Sequence, residues 1–409
     1  MTSWFTPLLL VSCAAVFLHA EDEEWYDEEA DWEQLAGDTA QEGWVVDASD
    51  ESMSQATPSS SQSKYIYPSQ DSQGEMFASA QPSFRAKKWG VFATGEWLFW
   101  KAEEESLDYG IQSPNFTNAG PFALSSSTQG IRGKISNINP EYQSGFRVGV
   151  VGILPHDKWD ISLFWTSYVN RAHDSISPKL PKVVFPVYLN ANTIPIALSA
   201  KAHWKLDFNV FDLELGRSFF VGNHLSVRPF LAFQAAWIEQ HLNIHYDDLT
   251  LTYGMFNSPS STTTPKITSL NHSEFSGYGL RAGLNTKWPL AWGLSLLGNL
   301  SYSLLCSDFD LHQNEKNADG SYRTKLKDDL DLTSQVFQLF GGISWERQFE
   351  NSRYYLNLHA GWEQQVWFDQ NQFNLFLNQP LSRSNVGDTI NQQGNLTLSG
   401  LTLGATFGF

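Results

Sequence analysis

Apolar and polar residues alternate over long stretches of this chain, and the pattern is clearest between Gly145 and Asn170. In the first half Phe146, Val148 and Val150 share one face, with Gly145, Arg147 and Gly149 on the other. In the second half Trp159, Ile161, Leu163, Trp165 and Val169 alternate with Asp160, Ser162, Thr166, Tyr168 and Asn170. Period-two alternation places successive side chains on opposite faces of a β-strand. Leu154–Lys158, with Pro155 and Asp157, supplies a tight connection, so the segment reads as a hairpin. A soluble sheet would alternate in the same way. Strand length and repetition of the device favour a transmembrane β-barrel, whose strands need about 9–11 residues to cross a bilayer.

The same reading yields ten strands. Strand one is Trp89–Lys101, and the hairpin supplies strands two and three. Strand four is Trp204–Phe219. Its alternation sets Trp204, Leu206, Phe208 and Val210 outward and Lys205, Asp207 and Asn209 inward. Beyond Val210 the apolar set becomes Phe211, Leu213 and Leu215, a slip of phase that a β-bulge would produce. Strands five to nine are Leu225–Gln240, Phe275–Trp288, Leu294–Asp308, Thr333–Arg347 and Arg353–Trp367, and strand ten is Asn395–Phe409. Glu103–Glu141, Arg171–Ala200, His241–Glu274, Asp310–Asp331 and Phe368–Gly394 read as long polar loops, alternating with short turns. The expected fold is therefore all-β, an antiparallel up-and-down barrel of about ten strands. Twelve strands remain possible if Lys182–Asn190 hides another pair.

Composition refines this picture. Aromatic residues make up 14% and charged residues 17% of the chain, and no later segment is long and apolar enough for a transmembrane helix. Met1–Ala20 carries an apolar run ending in a small residue and reads as a secretory signal peptide. Glu21–Glu51 holds fourteen acidic residues and no Lys or Arg, so it supplies −14 of the formal net charge of −18. Residues 21–87 are expected to form a disordered periplasmic tail and a Ser/Gln-rich linker, with the barrel occupying 88–409. A chain without its first twenty residues retains only Cys306 and cannot close an intramolecular disulfide. Phe407 and the final Phe409 end an apolar face and resemble an assembly signal for outer-membrane barrels.

Several segments resemble the Legionella-type major outer membrane protein family, whose relatives include porin-like proteins of Chlamydia-related bacteria. They are Gly95-Glu-Trp-Leu-Phe-Trp-Lys-Ala-Glu103, Gly145–Trp165, Phe211-Asp-Leu-Glu-Leu-Gly-Arg217, Leu225-Ser-Val-Arg-Pro-Phe230 and His359–Gln372. The resemblance covers roughly Trp89 to Phe409 and implies a pore-forming outer-membrane barrel, with no catalytic residues carried over. The chain departs from the cysteine-rich chlamydial major protein, because one mature cysteine cannot support a cross-linked envelope network.

The expected function is a narrow pore for small hydrophilic solutes or ions. Its lining candidates are Arg147, Asp160, Lys205, Asp207, Arg228, Arg281 and Glu363, since a charge on the lipid face would cost about 2–4 kcal/mol. The competing reading is a filled interior in which these charges pair with one another. A second alternative is a surface adhesin or structural barrel acting through its long loops. Catalysis is not expected. His156-Asp157 falls in a turn, and Asp247-Asp248 and Asp328-Asp329 read as solvated loop pairs. No cofactor, metal or nucleic-acid partner is expected. The expected partners are outer-membrane lipid, the barrel-assembly machinery and a second copy of the chain, with both termini periplasmic.

Overall fold

The computed structural model describes residues 90–113, 133–154, 159–190, 195–221, 225–253, 260–349, 354–376, 389–391 and 393–408, all within the unit Glu75–Phe409. Among these residues there is no helix. Ten antiparallel strands form a closed barrel. They are β1 (Gly90–Glu104), β2 (Gln143–Ile153), β3 (Trp159–Ile176), β4 (Ser199–Arg217), β5 (Leu225–Tyr253), β6 (Ser260–Pro289), β7 (Leu294–Asn317), β8 (Tyr322–Phe349), β9 (Tyr354–Asn371) and β10 (Gly394–Gly408). Each strand pairs with its neighbours in sequence. The ring closes where β1 meets β10, from Phe92↔Gly408 to Glu104↔Leu396. Closure leaves the barrel no free edge along that seam.

The strands are longer than a membrane requires, and their two halves obey opposite rules. On β5 the odd-numbered residues face outward from Leu225 to Asp247. Leu225, Val227, Leu231, Phe233 and Trp237 come first, followed by Glu239, His241, Asn243 and His245. The even-numbered residues face inward and change in the reverse sense, from Ser226, Arg228 and Gln234 to Leu242, Ile244 and Tyr246, all buried. β10 repeats the inversion. Leu401, Leu403, Ala405 and Phe407 face outward at one end and Asn395, Thr397 and Ser399 at the other, while inward Thr402 and Thr406 give way to Leu396 and Leu398. Thirteen residues from Leu225 to Trp237, at ~3.3 Å per residue and tilted ~45°, span ~28 Å, close to the ~25 Å apolar band of such barrels. An outward row of touching rings, Phe146, Trp165, Phe211, Trp237 and Tyr278, marks the upper limit of this belt. Aromatic girdles occupy that level in membrane barrels.

This inversion corrects three expectations. The phase slip on β4 is not a bulge. Its register with β3 and β5 runs unbroken through Val210. Instead, Lys205, Asp207 and Asn209 face outward above the belt, and Trp204, Leu206, Phe208 and Val210 face inward. The segments His241–Glu274 and Asp310–Asp331 are largely strand, because apolar-in, polar-out alternation still makes a sheet where water replaces lipid outside. Lys182–Asn190 adds no barrel strand. Its Val183–Pro186 joins Asp108–Ser113 and Lys134–Asn137 in a separate three-stranded sheet.

The upper interior holds an apolar core. Trp100, Trp204, Phe208, Phe275, Phe309 and Trp367 project from the wall and pack with Leu107, Tyr109, Val184, Tyr188 and Leu189. Hydrogen bonds fasten the inserted segments: Tyr246 donates to the Tyr109 carbonyl (2.7 Å) and Tyr188 to the Ser106 carbonyl (3.0 Å). Glu315 accepts the Asn190 amide proton (2.5 Å). Cys306 faces outward on β7, and the other cysteine lies outside the described residues. The acidic tail, the His156-Asp157 turn and Phe409 also lie outside them.

Candidate functional site: a charged chamber in the lower lumen

Within the apolar belt the inward positions carry charge and hydroxyl groups, and they enclose a cavity of about 160 Å³. Strand parity alone brings them together. β1 contributes Glu96, β2 Arg147, β4 Asp212 and Glu214, β5 Arg228, β6 Arg281, and β9 His359 and Glu363. The ion pairs form two groups. In the first, Arg147 donates to both oxygens of Glu363 (Nη2–Oε1 2.6 Å, Nη1–Oε2 3.1 Å), to Glu96 Oε2 (2.8 Å) and to Thr166 Oγ1 (3.0 Å). Glu96 also meets His359 Nε2 at 3.1 Å. Glu363 further accepts from Thr402 (3.1 Å) and Gln365 (2.8 Å).

The second group centres on Arg228, which is 2% exposed. Its Nε donates to Asp160 (3.0 Å to Oδ2), its Nη2 also binds Asp160, and its Nη1 donates to Glu214 (3.1 Å). Arg281 pairs with Asp212 at 3.1 Å and donates from Nε to Ser301 at 3.0 Å. Phe230 lies between the two guanidiniums, 5.5 Å from that of Arg228 and 5.4 Å from that of Arg281. A Cβ on Gly216 would sit 2.5 Å from the Arg228 guanidinium carbon, so only glycine lets this arginine lie across β4. Five carboxylates (Glu96, Asp160, Asp212, Glu214, Glu363) thus face three guanidiniums. Fork-shaped pairs of this kind hold their geometry well, and the surplus of carboxylates leaves the chamber negative.

Aromatic and ion-paired side chains flank both ends of the chamber. Above it, Phe208 of β4 and Trp367 of β9 meet edge to face with centroids 5.3 Å apart, although their strands lie on opposite sides of the ring. Phe275 reaches Trp367 at 6.2 Å and Phe309 at 4.9 Å, completing an aromatic layer. Below it, Lys287 pairs with Glu346 (2.6 Å), Tyr355 donates to Glu346 (2.8 Å), and Phe92 packs edge-on against Tyr355.

Of the residues singled out in the sequence, Arg147, Asp160, Arg228, Arg281 and Glu363 belong to this network. Lys205 and Asp207 do not. They pair with each other on the outer surface above the belt, where water already solvates them and the lipid-face argument has no force. Phe407 faces outward on β10 and is 46% exposed. Sequence reasoning missed Glu96, Asp212, Glu214 and His359. Asp212 and Glu214 were legible as the charges alternating with outward Phe211, Leu213 and Leu215. Glu96 was legible as a lone charge alternating with outward Gly95 and Trp97.

A family profile described as Legionella pneumophila major outer membrane protein precursor matches residues 83–409. No curated protein sequence matches the chain. Among solved structures, the outer membrane protease OmpT from Escherichia coli is similar at 10% identity and a TM-score of 0.38, covering 80% of this chain and 98% of that one. A Pseudomonas aeruginosa FadL homologue is similar at 8% identity and a TM-score of 0.26, covering 79% and 90%.

Proposed function

Because the chain belongs to the Legionella major outer membrane protein family, we propose that it is a porin-like barrel whose charged chamber selects small hydrophilic cations. The observation that supports this reading is the convergence of four carboxylates (Glu96, Asp212, Glu214 and Glu363) on a cavity also lined by three arginines, at membrane depth, with Asp160 paired to Arg228 beside it. Rings of acidic side chains favour cations by offsetting the loss of their hydration. The aromatic layer around Phe208 and Trp367 separates the chamber from the upper half, so permeation requires that layer to part. In this reading the termini and short turns face the periplasm and the long strand ends project from the cell.

Single-channel recording on the refolded barrel in a planar bilayer tests the proposal. Wild type is expected to show small or infrequent steps. Phe208→Ala with Trp367→Ala is expected to enlarge them, and Asp212→Asn to weaken the preference for cations. A doubly truncated barrel that folds but passes no current would overturn the pore. The second reading, surface recognition, is favoured by the continuation of β5–β8 well beyond the belt with a polar outer face.

A further inference from the structure

Immediately above the aromatic girdle, the outer surface carries two adjacent rungs of opposite character, set by strand register. One rung is acidic: Asp207, Glu239, Glu274, Asp310 and Asp329 are direct cross-strand partners from β4 to β8. The next is basic: Lys205, His241, His272, His312 and Lys327 follow the same five strands. Like charges placed directly opposite one another destabilise a sheet. Contacts along each strand offset this, with His241 Nε2 at 2.8 Å from Glu239, His272 Nε2 at 2.7 Å from Glu274 and His312 Nε2 at 3.2 Å from Asp310.

The centre of the ladder is its densest part. The His241 and His272 rings stack with centroids 4.2 Å apart and planes 18° from parallel. Neutral imidazole is the form in which histidine binds metals. Ligand atoms of Glu239, His241 and His272 all lie within 4.8 Å of one another. His272 Nδ1 is buried and has no hydrogen-bond partner, while its Nε2 is held by Glu274. A carboxylate on one ring nitrogen, leaving the other for a metal, is the arrangement that orients histidine ligands.

We propose that Glu239, His241 and His272 bind a divalent transition-metal ion of the zinc class, with Glu274 as a positioning residue for His272. Two imidazoles and one carboxylate match the ligand sets of open zinc sites, which leave a further position to water or an external ligand. Ligand distances of ~2.0–2.2 Å require the three donors to draw together to ~3.3 Å. The side chains are only half-buried and can rotate to do so, while the paired strands fix their origins. Imidazole donors select zinc, copper or nickel over magnesium and calcium.

The test is a zinc titration of the refolded full-length barrel by calorimetry, with magnesium as the comparison. Folding of each variant is checked by heat-modifiable gel mobility. Wild type is expected to bind a single zinc far more tightly than magnesium, and to lose affinity on acidification as protons compete with the metal for its ligands. His241→Ala with His272→Ala should abolish that binding, Glu274→Gln should weaken it about 10–100-fold, and His173→Ala, on β3 outside this cluster, should leave it unchanged. Absence of zinc binding in wild type, or wild-type affinity in the folded double variant, would overturn the site and leave a ladder of salt bridges only.

Discussion

Along β5, outward Leu231, Phe233 and Trp237 give way to Glu239, His241 and Asn243, while inward Arg228 and Gln234 give way to Leu242 and Ile244. The backbone does not register the change, since the ladder with β6 runs unbroken from Lys287↔Ser226 to Lys266↔Asp247. The lower half is therefore a barrel with an apolar skin and a charged interior. The upper half is a sheet with a polar skin and an apolar interior, like a soluble protein. The difference shows that the surrounding medium, not the strand geometry, decides which face of the pleat is apolar. Apolar burial sustains the upper half, whereas satisfied ion pairs and hydrogen bonds let the lower interior tolerate charge.

The largest way to break this contrast is to remove one partner from the lower network. Arg228→Ala leaves Asp160 and Glu214 buried without their cation, and is expected to cost about 3–5 kcal/mol in denaturant unfolding of the reconstituted barrel. Next is a matched pair on one strand. Leu231→Arg puts a charge in the middle of the belt and is expected to cost about 2–4 kcal/mol, whereas Asn243→Arg, outward on the same strand but above the girdle, should lie within about 0.5 kcal/mol of wild type. Equal costs at both positions would erase the distinction between the halves.

A smaller effect concerns Glu104, which faces inward in the upper half with one oxygen unpartnered. Burial pushes its carboxyl well above the usual carboxylate range, with Gln240 opposing through a 3.3 Å hydrogen bond and Glu105 adding to the rise. The folded state thus holds this proton more tightly than the unfolded chain does. Its contribution to stability falls as pH rises from the unfolded value of 4.5 toward the higher folded one. Glu104→Gln is expected to stabilise the barrel by roughly 1 kcal/mol at neutral pH and to give no gain near pH 4. The smallest effect is at Lys205→Ala, which removes a surface pair with Asp207 worth less than about 1 kcal/mol.

Much of the barrel was legible in the sequence because the outward apolar set is long and regular within the belt, as in Ile161, Leu163 and Trp165. The strand number and the closing strand Leu401–Phe407 follow from it. What could not be read by the same rule was the region where lipid ends. There Ile244 and Tyr246 are apolar because they face a core, and His241 and His245 are polar because they face water. A search for lipid-facing alternation takes such a stretch for a loop, or inserts a bulge to restore the expected sense. That one substitution of cause moved Lys205 and Asp207 into the lumen. The meeting of Phe208 and Trp367 across the barrel was beyond sequence reasoning, since it depends on ring closure bringing opposite strands together.

The most direct test of the inversion is a nitroxide scan along the outer face of β5, at positions 231, 233, 237, 239, 241 and 243, in the barrel reconstituted into bilayers. Accessibility to oxygen is compared with accessibility to a water-soluble paramagnetic chelate. The labels at 231, 233 and 237 are expected to favour oxygen and those at 239, 241 and 243 the chelate, with the crossover between Trp237 and Glu239. Oxygen-favoured labels continuing through position 243, or chelate access at position 231, would contradict the account.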